Sequence, residues 1–362
     1  MKRLLLIMVA LLMSAPTLWA SEGEGKGFDP GSTIISHVTD AHSWHLFDYN
    51  KRAADGTIEE HPVAIPLPVI LWNDGHLDIF SSARFHHGHA DYKGYRLVGG
   101  GASREEIICV DAAGMPTGVK PLDLSISKTP AAIIIAVVLL IVIVFIAKAG
   151  YKKRPNQAPH GLQSLVEMLV VYVRDSIARP IIGDGKYQRY LPYLLTLFFF
   201  IFFCNILGLI PFFPAGANIT GNLAVTGTLA VITFLITNIS GNRHYWMDIF
   251  NTPGVPAWLK IFPLMPLVEV IGVFTKPIVL MIRLFANMTA GHIMILSFIA
   301  LIFILSGIFG AGVGAGVTVV SVFMSVFISL LECLVAYIQA FVFTMLTALY
   351  IGMAVAEPNH AH

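Results

Sequence analysis

Charge is scarce in this chain. Asp, Glu, Lys and Arg make up 12% of its 362 residues, and the net charge is +1. A soluble domain usually carries about 25% charged residues, so composition excludes an ordinary water-soluble enzyme. No global basic or acidic field exists to steer a nucleic acid or a charged substrate, and no nucleic-acid partner is expected. Cysteine is equally sparse. Cys109, Cys204 and Cys333 are far apart and odd in number, which excludes a disulfide framework and a CxxC metal site and leaves three inert small hydrophobes. A GxxxxGK[ST] phosphate loop and a nucleophile elbow are also missing from the sequence, so neither a nucleotide site nor covalent chemistry is expected. No metal and no cofactor are expected either.

What is there is apolar: 56% of the residues are hydrophobic. Residues 1–20 read as a secretory signal, with Lys2 and Arg3 before the apolar core Leu4 to Met13 and Ala20 before Ser21. Leu18 stands where a small residue is preferred at a cleavage site, so the segment is a signal peptide or an uncleaved anchor. Residues 21–129 are polar, histidine-rich and mixed in pattern, and form a small β-containing exported domain. Within it Pro66 to Phe80 reads as two short strands around Asn73-Asp74-Gly75. The run Phe85-His86-His87-Gly88-His89 has the ligand type for a metal, but clustered histidines without a defined geometry read as solvated.

The fold expected of the rest is an all-α membrane domain, residues 130–357, with five hydrophobic spans and a short tail, 358–362. The first span is Ala131 to Ala147, followed by Lys148, Lys152, Lys153 and Arg154. That cluster marks a cytoplasmic end by the positive-inside rule and agrees with export of what precedes it. A cytoplasmic amphipathic segment, 155–189, follows, with Leu162, Leu165, Leu169, Val170 and Val173 opposed to Glu167, Arg174 and Asp175. The second and third spans are Leu191 to Phe213 and Gly221 to Ile239, and residues 241–262 read as a loop. Pro263 to Ser306 is then about 44 residues, roughly 66 Å as helix, against a hydrocarbon core of about 30 Å. Such a helix must tilt strongly, kink or break, and Lys276-Pro277 is the obvious kink point. Glycine-rich residues 307–316 turn the chain into a second over-long helix, Val317 to Ala356. The C-terminus falls in the cytoplasm.

Arg283 sits inside the first of these long helices. Burying a guanidinium near the bilayer centre costs at least about 2.5–3.5 kcal/mol, so it is expected to face water, a counter-ion or a partner. Spacings of seven place Glu269, Lys276 and Arg283 on one face, with Asn287 one turn beyond. His292, nine residues past Arg283, points away. On the last helix Ser321, Ser325, Glu332 and Gln339 form a stripe with Ser329 at its edge. An acid, an imidazole, an amide and hydroxyls in lipid-embedded helices suit a proton relay or a hydrated cavity. The threonines, the other serines and Asn238 read as interhelical glue. The competing reading is a secondary transporter or channel whose Arg283 binds an anion, which predicts a substrate pocket and often inverted repeats.

At these residues the chain resembles the subunit a family of F-type ATP synthases, over about residues 130–357. The matching segments are Arg283 to Met288 with Ala290-Gly291, and Ile338 to Phe343 with Leu346-Thr347. Glu269, Lys276-Pro277 and Asn205 to Pro211 also fall where that family has them. The resemblance implies a non-catalytic stator subunit in the bacterial inner membrane, with its N-terminal domain periplasmic. Its implied partners are a ring of c subunits, the peripheral-stalk b subunits and the lipid bilayer. Arg283 would face the ring's carboxylate, with Asn287 and Gln339 lining the contact. His292 and Glu332 would belong to one half-channel, and Glu269 to the opposite, cytoplasmic one. Lys276 and Ser325 are secondary candidates. A common bacterial pattern has Glu at the His292 position and His at the Glu332 position. Here the pair is exchanged, which implies that the two positions are neighbours in space.

Overall fold

The computed structural model describes residues 31, 34–35, 38–52, 58–88, 90–100, 103–111, 113–153, 157–210, 216–250 and 264–356. The signal segment 1–20, the tail 358–362 and the Arg154 and His89 readings lie outside the described residues. The chain divides into two compact units. One comprises the described residues to Ala132 with 216–217 and Ala290–Glu332, and the other comprises Ile133–Ile210, Asn218–Thr289 and the chain from Cys333.

The first unit carries the strands: β1 (Ser43–Arg52), β2 (Ile58–Pro66), β3 (Pro68–Asn73), β4 (His76–Ser81), β5 (Tyr95–Gly100), β6 (Ser103–Cys109) and β7 (Leu122–Asp123). They form three antiparallel sheets, β1-β2, β4-β3-β7 and β5-β6. The expected hairpin is present. Asn73 pairs with His76, and the two turn residues, Asp74 and Gly75, have φ of 46° and 81°, the left-handed pair that a tight two-residue hairpin needs. Alternation along β3 sends Val69 and Leu71 into a small core with Phe85, Tyr95, Ile107 and Cys109. Phe85 is fully buried and anchors the 3-10 turn Ser82–Gly88, so one residue of the histidine run is a core aromatic.

An ion cluster around the buried His42 lies in this domain. The backbone N–H of His42 donates to Glu105 Oε2 at 2.7 Å, and the imidazole nitrogens lie 3.3 Å from Glu105 Oε2 and 2.9 Å from Asp123 Oδ2. Burial alone disfavours the imidazolium, but the hydrogen bonds to Asp123 and Glu105 and their charges outweigh it and raise the His42 pKa to about 9. Burial also pushes the Asp123 carboxyl up, and the contacts from His42 and Ser125 reverse that and hold it at about 2.

The helices are α1 (Lys128–Lys153), α2 (Leu162–Tyr172), α3 (Arg179–Ile182), α4 (Tyr187–Leu209), α5 (Leu223–Ile239), α6 (Arg243–Phe250), α7 (Leu264–Phe309) and α8 (Ala311–Val355). A π-helical turn, Val173–Ala178, joins α2 to α3. This amphipathic stretch divides its apolar residues: Leu169, Val173 and Ile177 are buried, while Leu162 and Leu165 are exposed. Among the described residues, four helices are long and apolar enough to cross a membrane, and up to five if α5 with α6 is counted as one bent span. α5 has only 17 residues, about 25 Å of helix, and meets α6 at a bend of 102°.

Three boundaries differ from the sequence expectation. Residues 243–250, expected to be loop, form α6, an amphipathic helix too short to give a clear periodic signal. α7 runs unbroken through Pro277. The turn expected over 307–316 contracts to Gly310, whose φ is 82°, between the end of α7 at Phe309 and the start of α8 at Ala311. Only that position needs a left-handed backbone, and the other glycines stay helical.

The second unit has its own core. Leu194, Phe198 and Ile201 of α4, Leu280, Leu284 and Met288 of α7, and Ala336, Ala340, Phe343 and Ile351 of α8 meet there, together with Val173 and Ile177. Small residues on α8 let its backbone approach its neighbours. Lys186 Nζ and Asn242 Nδ2 both donate to the carbonyl of Val355, at 2.9 and 3.0 Å, and so satisfy the end of α8.

Candidate functional site

The site begins with a ridge that has no chemistry. Leu280, Leu284 and Met288, spaced by four, are 0–2% exposed and lock one side of α7 into the core. The opposite side presents Val279, Ile282, Arg283, Ala286 and Asn287 outward. Arg283 makes no ion pair among the described residues, and the group it affects electrostatically is the Tyr350 phenol. A permanent cation therefore stands on the outer face of α7.

Glu269 and Lys276 are half-buried rather than fully turned out with Arg283. Lys276 explains its own case. Its ammonium lies 5.5 Å from the centre of the Tyr350 ring, within cation–π range. Both line a cavity with Thr233, Thr237, Asn238, Tyr245 and Pro277, drawn from α5, α6, α7 and α8. Glu269 lies two turns from Lys276 and is not among the lining residues. The sequence reading missed Tyr350. Its signal was available: eleven residues past Gln339 returns to the same helix face within about 20°.

The stripe on α8 is real and faces inward. Ser321, Ser325, Glu332 and Gln339 are 1–6% exposed, and Ser329, half-buried, bonds back to Ser325 O. Among the described residues, the hydroxyls of Ser321 and Ser325 and Oε2 of Glu332 have no hydrogen-bond partner. Leaving such groups dry costs about 1–3 kcal/mol each, and buried polar groups of this kind are the usual partners of bound water. α7 approaches Glu332 at Gly291, where a side-chain carbon would collide with the carboxylate. His292 is the next residue on α7. The close approach of Glu332 to Gly291 is a second feature that the sequence did not reveal.

Asn205 ties α4 to α8. It is fully buried, donates to Ala336 O at 3.2 Å and accepts from Thr220 Oγ1 at 2.7 Å. Interhelical glue is confirmed at Thr233, bonded to the Tyr193 hydroxyl at 2.9 Å, and at Thr289, bonded to Gly221 O. Asn238 donates to Phe234 O of its own helix and also accepts from the Tyr245 hydroxyl of α6 at 3.5 Å, whereas Thr226 and Thr228 bond carbonyls of their own helix or its cap.

Comparison with known proteins bears on the same segment. The family model described as "ATP synthase A chain" matches residues 131–352, and a second one, "Domain of unknown function (DUF8433)", matches residues 33–124. "ATP synthase subunit a" of Chloroherpeton thalassium is 42% identical over 244 residues, covering 66% of this chain and 69% of that protein. "ATP synthase subunit a 2" of Chlorobaculum tepidum is 46% identical over 247 residues, covering 67% and 66%. "ATP synthase subunit a" of Myxococcus xanthus is 45% identical over 243 residues, covering 66% and 76%. The matched segment is thus the helical part, and the strands lie in the additional N-terminal domain. This chain belongs to the ATP synthase A chain family, the non-catalytic, proton-translocating membrane subunits of F-type ATP synthase.

Proposed function

We propose that Arg283 is the stator charge facing the carboxylates of a rotating ring of c subunits, and that polar groups on α7 and α8 form a proton half-channel on each side of it. The observation that carries this reading is the exposure of Arg283 on the outer face of α7 with no ion pair among the described residues. An approaching carboxylate offsets the cost of that charge.

Helix length supports two channels at different depths. Measured from Gly310, Gly291 and Glu332 lie about 28 and 33 Å along their helices, Arg283 and Gln339 about 40 and 43 Å, and Lys276 and Tyr350 about 51 and 60 Å. Ser321, Ser325, Glu332 and His292 make up the half-channel nearer Gly310. The Lys276–Tyr350 cavity, with Glu269 beyond it, makes up the other. Arg283, Asn287 and Gln339 fall between these two sets of residues along α7 and α8.

The mechanism follows from electrostatics. A ring carboxylate crosses lipid only when neutral. Beside Arg283 its charged form is favoured, so its proton leaves into one half-channel and another enters from the other. The fixed cation also bars protons from passing directly between the channels. Flux is thereby coupled to rotation, and ATP is made elsewhere in the assembly. The exchanged His292 and Glu332 supply the acid and the imidazole of one relay.

The chain belongs in a bacterial inner membrane with peripheral-stalk b subunits as further partners. Residues 1–20 direct export, 21–129 form a periplasmic domain, 130–357 form the membrane domain with 155–189 on the cytoplasmic surface, and 358–362 end the chain in the cytoplasm. Lys152 and Lys153 in the last turn of α1 support that orientation. The test is Arg283→Ala in the assembled complex, reconstituted in vesicles. ATP-driven proton uptake and proton-driven ATP synthesis are expected to vanish, and retention of full coupled activity overturns the assignment.

A further inference from the structure

The outer face of the β4-β3-β7 sheet is the wrong chemistry for water. An antiparallel sheet with one face in a core normally presents polar residues on the other. Here the register pairs Ile70 with Ile79, Trp72 with Leu77, and Trp72 again with Leu122. Cross-strand partners share a face, and Leu124, two residues past Leu122, shares it too. Trp72, Leu77, Ile79, Leu122 and Leu124 are 47–61% exposed, and none carries a charge. The acids of the same strands point the other way: Asp78 bonds Lys93 and Tyr95, and Asp123 bonds His42. The charges of these strands lie on the same side as the core, and the outer side carries apolar residues, unlike a solvated sheet.

The connection to α1 says what covers this face. Leu124 N donates to Ile70 O, Ile126 N to Pro68 O, Lys128 N to Ala41 O, and Thr129 N to Asp40 Oδ1. The chain is therefore hydrogen-bonded continuously from β7 into the first turn of α1, with no slack linker. α1 is a membrane-crossing candidate of 26 residues, about 39 Å long against a hydrocarbon core of about 30 Å. Leu124 lies four residues before it and Leu122 six, within about 14 and 20 Å of extended chain. The apolar phase within reach of the sheet is the one its own helix enters. Trp72 is also the side chain that favours the headgroup level.

We propose that the Trp72–Leu77–Ile79–Leu122–Leu124 face rests on the lipid surface, so that the N-terminal domain lies against the bilayer instead of standing free in solvent. The test uses the full chain reconstituted in vesicles of phosphatidylethanolamine and phosphatidylglycerol. In a background with the three cysteines replaced, a spin label at Ile79→Cys is expected to be more accessible to oxygen, which partitions into lipid, than to a water-soluble nickel chelate. A label at Lys93→Cys is expected to show the reverse. Nickel access at Ile79 equal to that at Lys93 overturns the proposal in favour of a solvated face. Shielding of Ile79 from both reagents overturns it in favour of a protein partner or a second copy. A check that leaves the cysteines in place is quenching by brominated lipid. The wild type is expected to be quenched more than Trp72→Phe, and equal quenching again overturns the proposal.

Discussion

Replacing His42 tests whether the N-terminal domain is held by one buried ion cluster. His42 is 8% exposed by side chain and sits between Glu105 at 19% and Asp123 at 35%. A pKa raised from 6.5 to about 9 corresponds to roughly 3 kcal/mol favouring the folded, protonated form. The lowering of Asp123 to about 2 describes the same contact from its more exposed partner, so the two are not added, and the better-buried histidine sets the scale. The sign follows from the direction. The histidine's contribution is complete below its unfolded pKa of 6.5 and is lost as the pH rises through about 9. Asp123 behaves oppositely, and its share is lost as the pH falls from the ordinary carboxylate range through about 2. Cys109 is a buried reporter in the same domain. With Cys204 and Cys333 replaced by serine, the alkylation rate of Cys109, normalised to a free thiol at each pH, reads how often the domain opens. His42→Gln is expected to raise that rate at pH 6 by roughly 100-fold, the equivalent of about 3 kcal/mol. The wild type is expected to approach the variant near pH 9.5, and the variant to stay flat. Equal rates at pH 6, or the same pH slope in both proteins, would refute the cluster's role.

Three further substitutions probe the helical part. Gly291→Ala puts a methyl group into the Glu332 carboxylate. We expect proton flux in reconstituted vesicles to fall about tenfold or more, roughly 1.4 kcal/mol on the transfer step, while the complex still assembles; unchanged flux would show that the contact is idle. Asn205→Ala removes the acceptor of the buried Thr220 hydroxyl and the bond to Ala336 O, and should cost about 1–3 kcal/mol, read as a lower midpoint in detergent denaturation. Gly310→Ala forces an alanine to φ of 82° and should cost about 1–2 kcal/mol, with Gly307→Ala, not in a left-handed conformation, as the neutral control in the same assay.

The sequence was most legible where one strong local rule acted alone. The Asn73-Asp74-Gly75 hairpin, the apolar run of α1 and the inward stripe Ser321–Ser325–Glu332–Gln339 each follow from turn chemistry or period. Boundaries failed where two rules competed. Residues 307–316 are rich in glycine, and composition spread the turn over all of them, yet packing keeps every glycine but Gly310 helical. α6 hid because eight residues give less than three turns of pattern. At the site, Arg283 was found by its cost, but Tyr350 and Gly291 were not, because neither is expensive where it stands. A tyrosine near a helix end and a glycine in a membrane helix are ordinary in sequence, and their roles depend on what another helix brings to them.

The ridge of Leu280, Leu284 and Met288 carries a mechanical meaning. A rotary machine transmits torque only if the fixed side yields less than the moving one. In the arrangement proposed above, a push on Arg283 from the ring would pass along α7 into these three side chains, which share one core cluster with Phe198 of α4 and Ala340 of α8. Softening the ridge should leave the charge in place but let it give under load. The symptom would be slippage, with more protons passed for each ATP made, in residues that never meet an ion.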